Sequence, residues 1–271
     1  MPFKADYAPP LSARAYAHCF LTFRKYSTEW LSMLQWCREC IGGLLPSGPR
    51  LSALSVGAGN GDFDWRLLPI LKSQATRLEY VFVEPSQAMC DYLHRRIDSE
   101  PLDGVAFDLE TSRFETCKLG QAFDLVLLTH CLYYIPDREA ALRNAARLAG
   151  DKGRVLVFHQ TPLGIDQVQK RYIQKVKGTE EEMYTSQEIQ QLLDQVNIPY
   201  RLEQIDSHID VSECLRPDSR EGEALLSFFL ECDIRHIDQG LKQEIVDYIQ
   251  DLSFSDSGKR VLNHPVAVFV L

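Results

Sequence analysis

The stretch Leu51-Ser52-Ala53-Leu54-Ser55-Val56-Gly57-Ala58-Gly59-Asn60-Gly61-Asp62-Phe63-Asp64 decides the fold. Its first six residues form a short apolar run that ends in glycines, the mark of a buried strand. Its last three open a helical pattern that continues to Ser73. Between them lie three glycines at alternate positions. Glycine reaches positive φ without steric penalty and lets a backbone approach a ligand closely. The first turn of the following helix offers N–H groups that no carbonyl of its own helix can satisfy. Strand, glycine loop and helix together read as a nucleotide-type cradle.

The same grammar repeats outward from that loop. Leu78–Val83 reads as a strand ending at Glu84-Pro85, and Ser86–Ile97 as a helix capped by Ser86. Val105–Leu109 is a weak strand and Phe123–Leu128 a strong one. Arg138–Ala149 is a helix and Gly153–Phe158 a further strand. Strands alternating with helices predict a parallel sheet with helices on both faces, an α/β Rossmann-like doubly wound fold.

A glycine loop alone suits several cofactors, dinucleotides included. Two features separate them. The dinucleotide spacing is G-x-G-x-x-G, and here it is G-x-G-x-G. Asp62 and Asp64 follow at once, so a pyrophosphate would meet two carboxylates, whereas a sulfonium with an amino-acid tail would not suffer. Glu84 ends the next strand, where a carboxylate can accept both ribose hydroxyls. The acidic loop Asp108-Leu109-Glu110-Thr111-Ser112 follows the third strand, where an adenine contact is expected. Thr129-His130-Cys131-Leu132-Tyr133-Tyr134-Ile135-Pro136 sits at the carboxyl end of the fourth, where ligands of open α/β sheets bind. The cofactor these features favour is S-adenosyl-L-methionine, and a nicotinamide is disfavoured by spacing.

Composition narrows the partners. The chain has 271 residues and a formal net charge of −9, so a nucleic-acid partner is not expected. No apolar run reaches the ~20 residues of a membrane helix. Met1–Asp6 lacks the apolar centre of a secretory signal. The eight cysteines are scattered through apolar segments, which reads as reduced thiols in a cytoplasmic protein. Cys37 and Cys40 form one C-x-x-C without a second ligand pair, so helix packing and no metal is the expectation. A monomer or weak homodimer is expected.

Residues 11–44 read as helical, with Ser12 and Ser27 as caps and Tyr16, Phe20 and Phe23 on one face. Such a stripe is ordinarily core packing. Beyond Gly164 come helices over Ile165–Lys177, Ser186–Val196, Glu221–Asp233 and Leu241–Leu252. Tyr200–Ile209 alternates like one strand, and Val266–Val270 is a closing strand. The organisation expected is one methyltransferase-type domain over 1–271. Within it, 1–46 is a helical cap on the substrate side, 51–160 the cofactor core, and 161–271 completes the sheet and adds substrate-side helices.

The chain resembles histamine N-methyltransferase, a class I methyltransferase with a seven-stranded sheet. The likeness is carried by Tyr16–Glu29, Leu54–Gly59, Val83–Ser86, Glu110–Ser112, Leu132-Tyr133-Tyr134, Asp210–Cys214, Phe228, Glu231-Cys232 and Leu262-Asn263-His264. It implies seven strands, mostly parallel with an antiparallel last strand. It implies that Gly57, Gly59 and Gly61 line the methionine part of the cofactor, that Glu84 binds the ribose and Ser112 the adenine edge. Pro85, Ser86, Met89 and Thr129 fall on the cofactor side. Glu29 matches the glutamate that holds the substrate, and Tyr16, Phe20, Tyr134 and Phe228 match the aromatic wall around a small-molecule methyl acceptor.

The departures lie on the substrate side. His264 stands where the family has an asparagine and His130 where it has a glutamine. Two family tryptophans fall near Ile165 and Gln169, and a glutamine aligns with Met89. A neutral imidazole, with pKa near 6.5, has a free lone pair at pH 7 and needs no strong base. An ammonium or hydroxyl needs its proton removed first, which gives Glu29, His130 or His264 a catalytic part. The expected reaction is methyl transfer to a nitrogen of an imidazole or amine metabolite. An O- or C-methyltransferase using His130 or His264 as base, and a catalytically silent cofactor-binding protein, stay open.

Overall fold

In the computed structural model residues 7–178 and 184–271 are described. The Met1–Asp6 segment, on which the expectation of no secretory signal rests, lies outside the described residues. The decisive stretch folds as read: β1 is Arg50–Val56 and α3 is Asp62–Lys72, preceded in the chain by α1 Ala13–Tyr26 and α2 Glu29–Leu44. Next come β2 Arg77–Val83, α4 Gln87–Ser99, β3 Val105–Glu110, β4 Leu125–Thr129, α5 Arg138–Ala149 and β5 Arg154–Gln160. The chain continues through α6 Ile165–Lys177, α7 Ser186–Gln195, β6 Arg201–Ile205, β7 His208–Asp210, α8 Arg220–Leu230, α9 Gln239–Leu252, β8 Phe254–Asp256, β9 Lys259–Asn263 and β10 Val266–Val270.

Seven strands form one sheet in the order β3-β2-β1-β4-β5-β10-β6. β1 pairs in parallel with β2 on one side (Leu54 opposite Val81) and with β4 on the other (Leu54 opposite Val126). Val155 and Leu271 exchange both backbone hydrogen bonds, at 3.1 and 3.0 Å, the signature of an antiparallel closing strand. Leu125, Val126, Leu127 and Leu128 are all buried, as expected for a parallel strand covered on both faces. Strand order reverses between β1 and β4, so the crevice beyond their carboxyl ends is the topological switch point.

The chain forms two compact units. Residues 33–159, 186–205 and 267–271 make the sheet unit, and residues up to Ser32, 160–185 and 206–266 make the other. The core of the second unit gathers Phe23, Tyr172, Ile209, Leu225, Phe229 and Ile249 from α1, α6, β7, α8 and α9. Its small sheet runs β7-β9-β8.

Several local expectations need correction. Tyr200–Ile209 is not one strand: β6 joins the large sheet and β7 the small one, and the chain turns between them at Asp206-Ser207. Ser207 is the buried turning residue, its hydroxyl donating to the His264 carbonyl. The β8–β9 hairpin is an addition, turned by Ser257 and Gly258, both at positive φ. The Ser-Gly pair between alternating residues is its signal. Ser12 does cap α1, accepting from the Ala15 N–H. Ser27 instead ends α1, while its hydroxyl accepts from the Glu29 N–H. α6, polar in sequence, buries Ile165, Val168, Tyr172, Ile173 and Val176 on one face. Cys37 and Cys40 lie one turn apart in α2, and burial pushes the Cys37 thiol up to about 12.

Candidate active site

In the sheet unit the three glycines take φ of 62°, 58° and 72°, at Gly57, Gly59 and Gly61. Two of them are required by the protein itself. A Cβ on Gly57 would lie 2.7 Å from the Cys131 Cβ, and one on Gly61 would lie 2.7 Å from Leu93. A Cβ on Gly59 would meet nothing within 4 Å, so this glycine alone faces open space. The loop is set by backbone bonds from Gly57 N–H to the Val83 carbonyl, 2.8 Å, and from Gly61 N–H to the Ala58 carbonyl, 3.0 Å.

Glu84 is buried at the end of β2. Its Oε2 accepts from the Gly59 N–H at 3.0 Å and its Oε1 from the Ser86 N–H at 2.9 Å. Each oxygen keeps a second lone pair for a hydroxyl donor. Ser86 heads α4 but makes no side-chain cap; Pro85 and Met89 are exposed beside it. The hydroxyl of Ser112 is buried and takes no hydrogen bond among the described residues. A buried acid fixed by two amides, an open glycine and an unsatisfied hydroxyl at three neighbouring strand ends fit an adenosyl group.

The acids after the loop do not stand as the sequence suggests. Asp62 accepts from Asn60 at 2.8 Å and from the Arg96 guanidinium at 2.6 Å, so its charge is matched within the protein. Asp64 is buried and accepts from the Tyr80 hydroxyl at 2.7 Å. Burial raises its pKa, against the hydrogen bonds of Ser55 and Tyr80. The expected repulsion of a pyrophosphate by two facing carboxylates is therefore not the basis of discrimination. Trp65, absent from the sequence reading, covers Gly61 and stacks on Phe107 at 5.3 Å between centroids. Its place one turn into α3 is the available signal.

At the end of β4, Thr129 is half-buried and His130 adopts φ 49°, a left-handed conformation uncommon for a residue with a side chain. The His130 N–H donates to the Phe158 carbonyl at 3.0 Å, and Nδ1 lies 3.4 Å from the Tyr133 hydroxyl. Tyr133 stacks on buried His159 with centroids 4.0 Å apart. Tyr133 belongs to the strand-end stretch singled out in the sequence, though with no role of its own there, and His159 has no such signal. Tyr134, expected in the aromatic wall, is 74% exposed.

In the second unit, β7 gathers a different cluster. Thr28 binds His208 on one side, its N–H donating to the His208 carbonyl at 2.9 Å and its Oγ1 accepting from the His208 N–H at 3.0 Å. On the other side His208 pairs with Asn263, and the His264 N–H donates to the Ser207 carbonyl at 2.9 Å. One short strand thus brings Glu29, the first residue of α2, against His264. Nε2 of His264 is 3.3 Å from Oε2 of Glu29, with both residues buried. Phe23 meets the imidazole edge-on at 6.1 Å and stacks on Phe228 at 4.6 Å. Phe20 and Tyr16 lie 5.9 and 6.0 Å from Phe228. Glu29, His264, Tyr16, Phe20 and Phe228 thus lie in one cluster. Phe23, the third member of the helical stripe, belongs with them. Ile165 and Gln169, near which the resemblance sets two tryptophans, are buried in α6.

Comparison with known proteins gives these arrangements a class. Residues 54–155 match the methyltransferase domain family. With the seven-stranded sheet, closed by an antiparallel strand, and the loop–acid arrangement, they define an S-adenosylmethionine-dependent methyltransferase. Within that class the chain is similar to histamine N-methyltransferases. It is 26% identical to histamine N-methyltransferase of Danio rerio and 24% identical to histamine N-methyltransferase A of Xenopus laevis, each comparison covering 94% of both chains. In fold it is similar to the plantazolicin methyltransferase BpumL, with a TM-score of 0.50 and 12% identity over 94% of this chain and 88% of that one. Among the described residues no helix is long and apolar enough to cross a membrane.

Proposed function

We propose that the protein transfers a methyl group to a nitrogen of a small imidazole or amine metabolite. The carrying observation is the buried Glu29–His264 pair beneath the rings of Phe23, Phe228, Phe20 and Tyr16. A carboxylate, an imidazole and aromatic faces suit a small, flat nitrogen compound. The likeness to histamine N-methyltransferases supports the same reading. S-adenosylmethionine, when bound, supplies an electrophilic methyl on a sulfonium sulfur. In this reading Gly57, Gly59 and Gly61 follow its methionine part, Glu84 takes the ribose hydroxyls, Ser112 the adenine edge, and Thr129, Pro85, Ser86 and Met89 flank it. Tyr134 and His130 keep the acceptor-side roles that the resemblance assigns. Holding a nucleophile in line and excluding water can supply much of the acceleration of such a displacement.

A second reading, methylation of oxygen, draws on the His130–Tyr133 contact, where an imidazole could receive a hydroxyl proton. The assay that separates the two supplies labelled methyl donor with histamine, histidine, imidazole derivatives and phenols in parallel. Turnover on the nitrogen compounds is expected. Protein that binds S-adenosylhomocysteine yet methylates none of them would overturn the nitrogen reading, and turnover on phenols alone would establish the second.

A further inference from the structure

We propose that the Asn60-Gly61 peptide of the cofactor loop is a site of spontaneous deamidation, and that the Asp62–Arg96 pair is the latch that holds it unreacted. Loop order and cofactor occupancy then set the working lifetime of the site. This goes beyond the acceptor reading above and does not depend on it.

The chemistry belongs to the dipeptide. The chain has four asparagines, and the other three precede Ala145, Ile198 and His264, whose β-carbons crowd the backbone nitrogen. Gly61 has no β-carbon. Once its N–H proton passes to hydroxide, its nitrogen can attack Cγ of Asn60. The new N–Cγ bond closes a five-membered imide. The Cγ–Nδ2 bond breaks, and the departing nitrogen takes a proton from water and leaves as ammonia. Water then opens the imide at either carbonyl. One opening gives aspartate, and the other gives isoaspartate with an extra methylene in the main chain.

Three observations put this reaction under structural control. First, the fold requires the glycine. Gly61 takes φ 72°, and a Cβ there would lie 2.7 Å from Leu93 and 3.2 Å from Trp65. Second, the reacting groups are both engaged. Oδ1 of Asn60 accepts from the Asp62 N–H at 3.1 Å, and its Nδ2 donates to Asp62 Oδ2 at 2.8 Å. The Gly61 N–H donates to the Ala58 carbonyl at 3.0 Å. Attack needs that N–H released and the Asn60 amide turned free. Third, one guanidinium from α4 closes over the arrangement. Nη1 of Arg96 donates to Asp62 Oδ1 at 2.6 Å and to the Asn60 carbonyl at 3.4 Å. Its Cζ lies 4.6 Å from the centre of the Trp65 ring, the ring that covers Gly61.

The product would spoil the cradle. A carboxylate at position 60 faces Asp62 where the amide donated, so attraction becomes repulsion. Isoaspartate also lengthens the loop between Gly59, whose N–H holds Glu84, and Gly61. The reaction proceeds from a locally opened loop, so its rate follows the opening equilibrium. Arg96 acts here as a positioning residue for the loop.

The test ages the full chain in mildly alkaline buffer, below its melting transition. Residue 60 is followed by peptide mass mapping, and S-adenosylhomocysteine affinity is measured in parallel. The wild type should convert slowly, and S-adenosylhomocysteine at about ten times its Kd should slow it roughly tenfold. Arg96→Gln should convert roughly tenfold faster than the wild type, as expected for loss of a charge-assisted hydrogen bond. Val268→Ala, which loosens buried packing three strands from β1, should not speed the reaction. Asn60→Ser, whose hydroxyl can still accept from the Asp62 N–H, should hold through ageing whatever affinity it starts with. Equal rates in the wild type and Arg96→Gln, or the same acceleration in Val268→Ala, would remove the latch. A rate indifferent to S-adenosylhomocysteine, or an Asn60→Ser chain that loses affinity with age, would cut residue 60 from the site. An Asn60 that stays an amide in every sample would overturn the whole proposal. The cofactor comparison uses the wild type alone, so it decides even where a variant fails to fold.

Discussion

The backbone N–H of Gly59 donates to Oε2 of Glu84 at 3.0 Å, tying the open glycine of the loop to the acid at the end of the neighbouring strand. The Ser86 N–H holds the other oxygen, so the carboxylate is fixed before any ligand arrives. Such preorganisation lowers the ordering cost of binding. Glu84→Gln keeps the shape but turns one acceptor into a donor that faces a backbone N–H. Loss of hydrogen bonds to a charged group is worth about 1.5–3 kcal/mol, so S-adenosylhomocysteine affinity should fall roughly 10- to 100-fold. Isothermal titration checks this, and unchanged affinity would remove Glu84 from the cofactor site.

Gly57 and Gly59 should separate stability from binding. Both have positive φ, so alanine at either carries about 1–2 kcal/mol of backbone strain. At Gly57 the new Cβ also meets Cys131, a crowding of the kind that costs about 1–3 kcal/mol more. Gly57→Ala should therefore melt lower than Gly59→Ala. At Gly59 the methyl enters open space where ligand is expected, so the rise in melting temperature given by S-adenosylhomocysteine should shrink there. Equal melting temperatures for the two variants would contradict the geometry.

Asp64 shows why the electrostatic part of the sequence reading failed while the cofactor assignment survived. A sequence places Asp62 and Asp64 in one helical turn but does not say which way each points. The two residues diverge: Asp62 finds Arg96 from α4, and Asp64 turns under the sheet to Tyr80. Long-range partners of this kind leave no local signal. The glycine spacing and the strand-end acid are different, because their roles follow from position in a strand–loop–helix unit. The same contrast holds at the second site. The stripe of Tyr16, Phe20 and Phe23 is periodic and legible. The meeting of Glu29 with His264 depends on His208 bonding Thr28 on one edge and Asn263 on the other, across more than 200 residues of chain.

Burial also makes Asp64 a pH-dependent element of stability. Its pKa is raised by desolvation, so the folded state holds this proton more tightly than the unfolded state does. The sign follows: its contribution is fullest below the unfolded carboxylate range of about 3.9 and declines as pH rises toward the folded value. Asp64→Asn keeps a polar group opposite Tyr80 and cannot ionise. The variant should melt higher than the wild type in neutral and alkaline buffer, with the gap closing in acid. Differential scanning across pH measures this, and a gap that widens in acid would show that Asp64 is held ionised.

Phe23 and Phe228 stack at 4.6 Å, yet they differ in burial, and the difference predicts different consequences. Phe23 is 3% exposed and sits within the core shared by α1, α6 and α8. Truncating such a ring to alanine leaves a cavity and costs about 3–5 kcal/mol. Phe228 is only partly buried, packed against that core while also reaching Tyr16 and Phe20. Phe228→Ala should thus cost less stability than Phe23→Ala. If the ring cluster holds the acceptor, Phe228→Ala should also raise KM for an azole substrate, with kcat changing less, because it removes contact made equally in ground and transition states. Urea unfolding of both variants with steady-state kinetics of the second tests the pair. A larger stability loss at Phe228, or an unaltered KM, would place that ring in the core and outside the site.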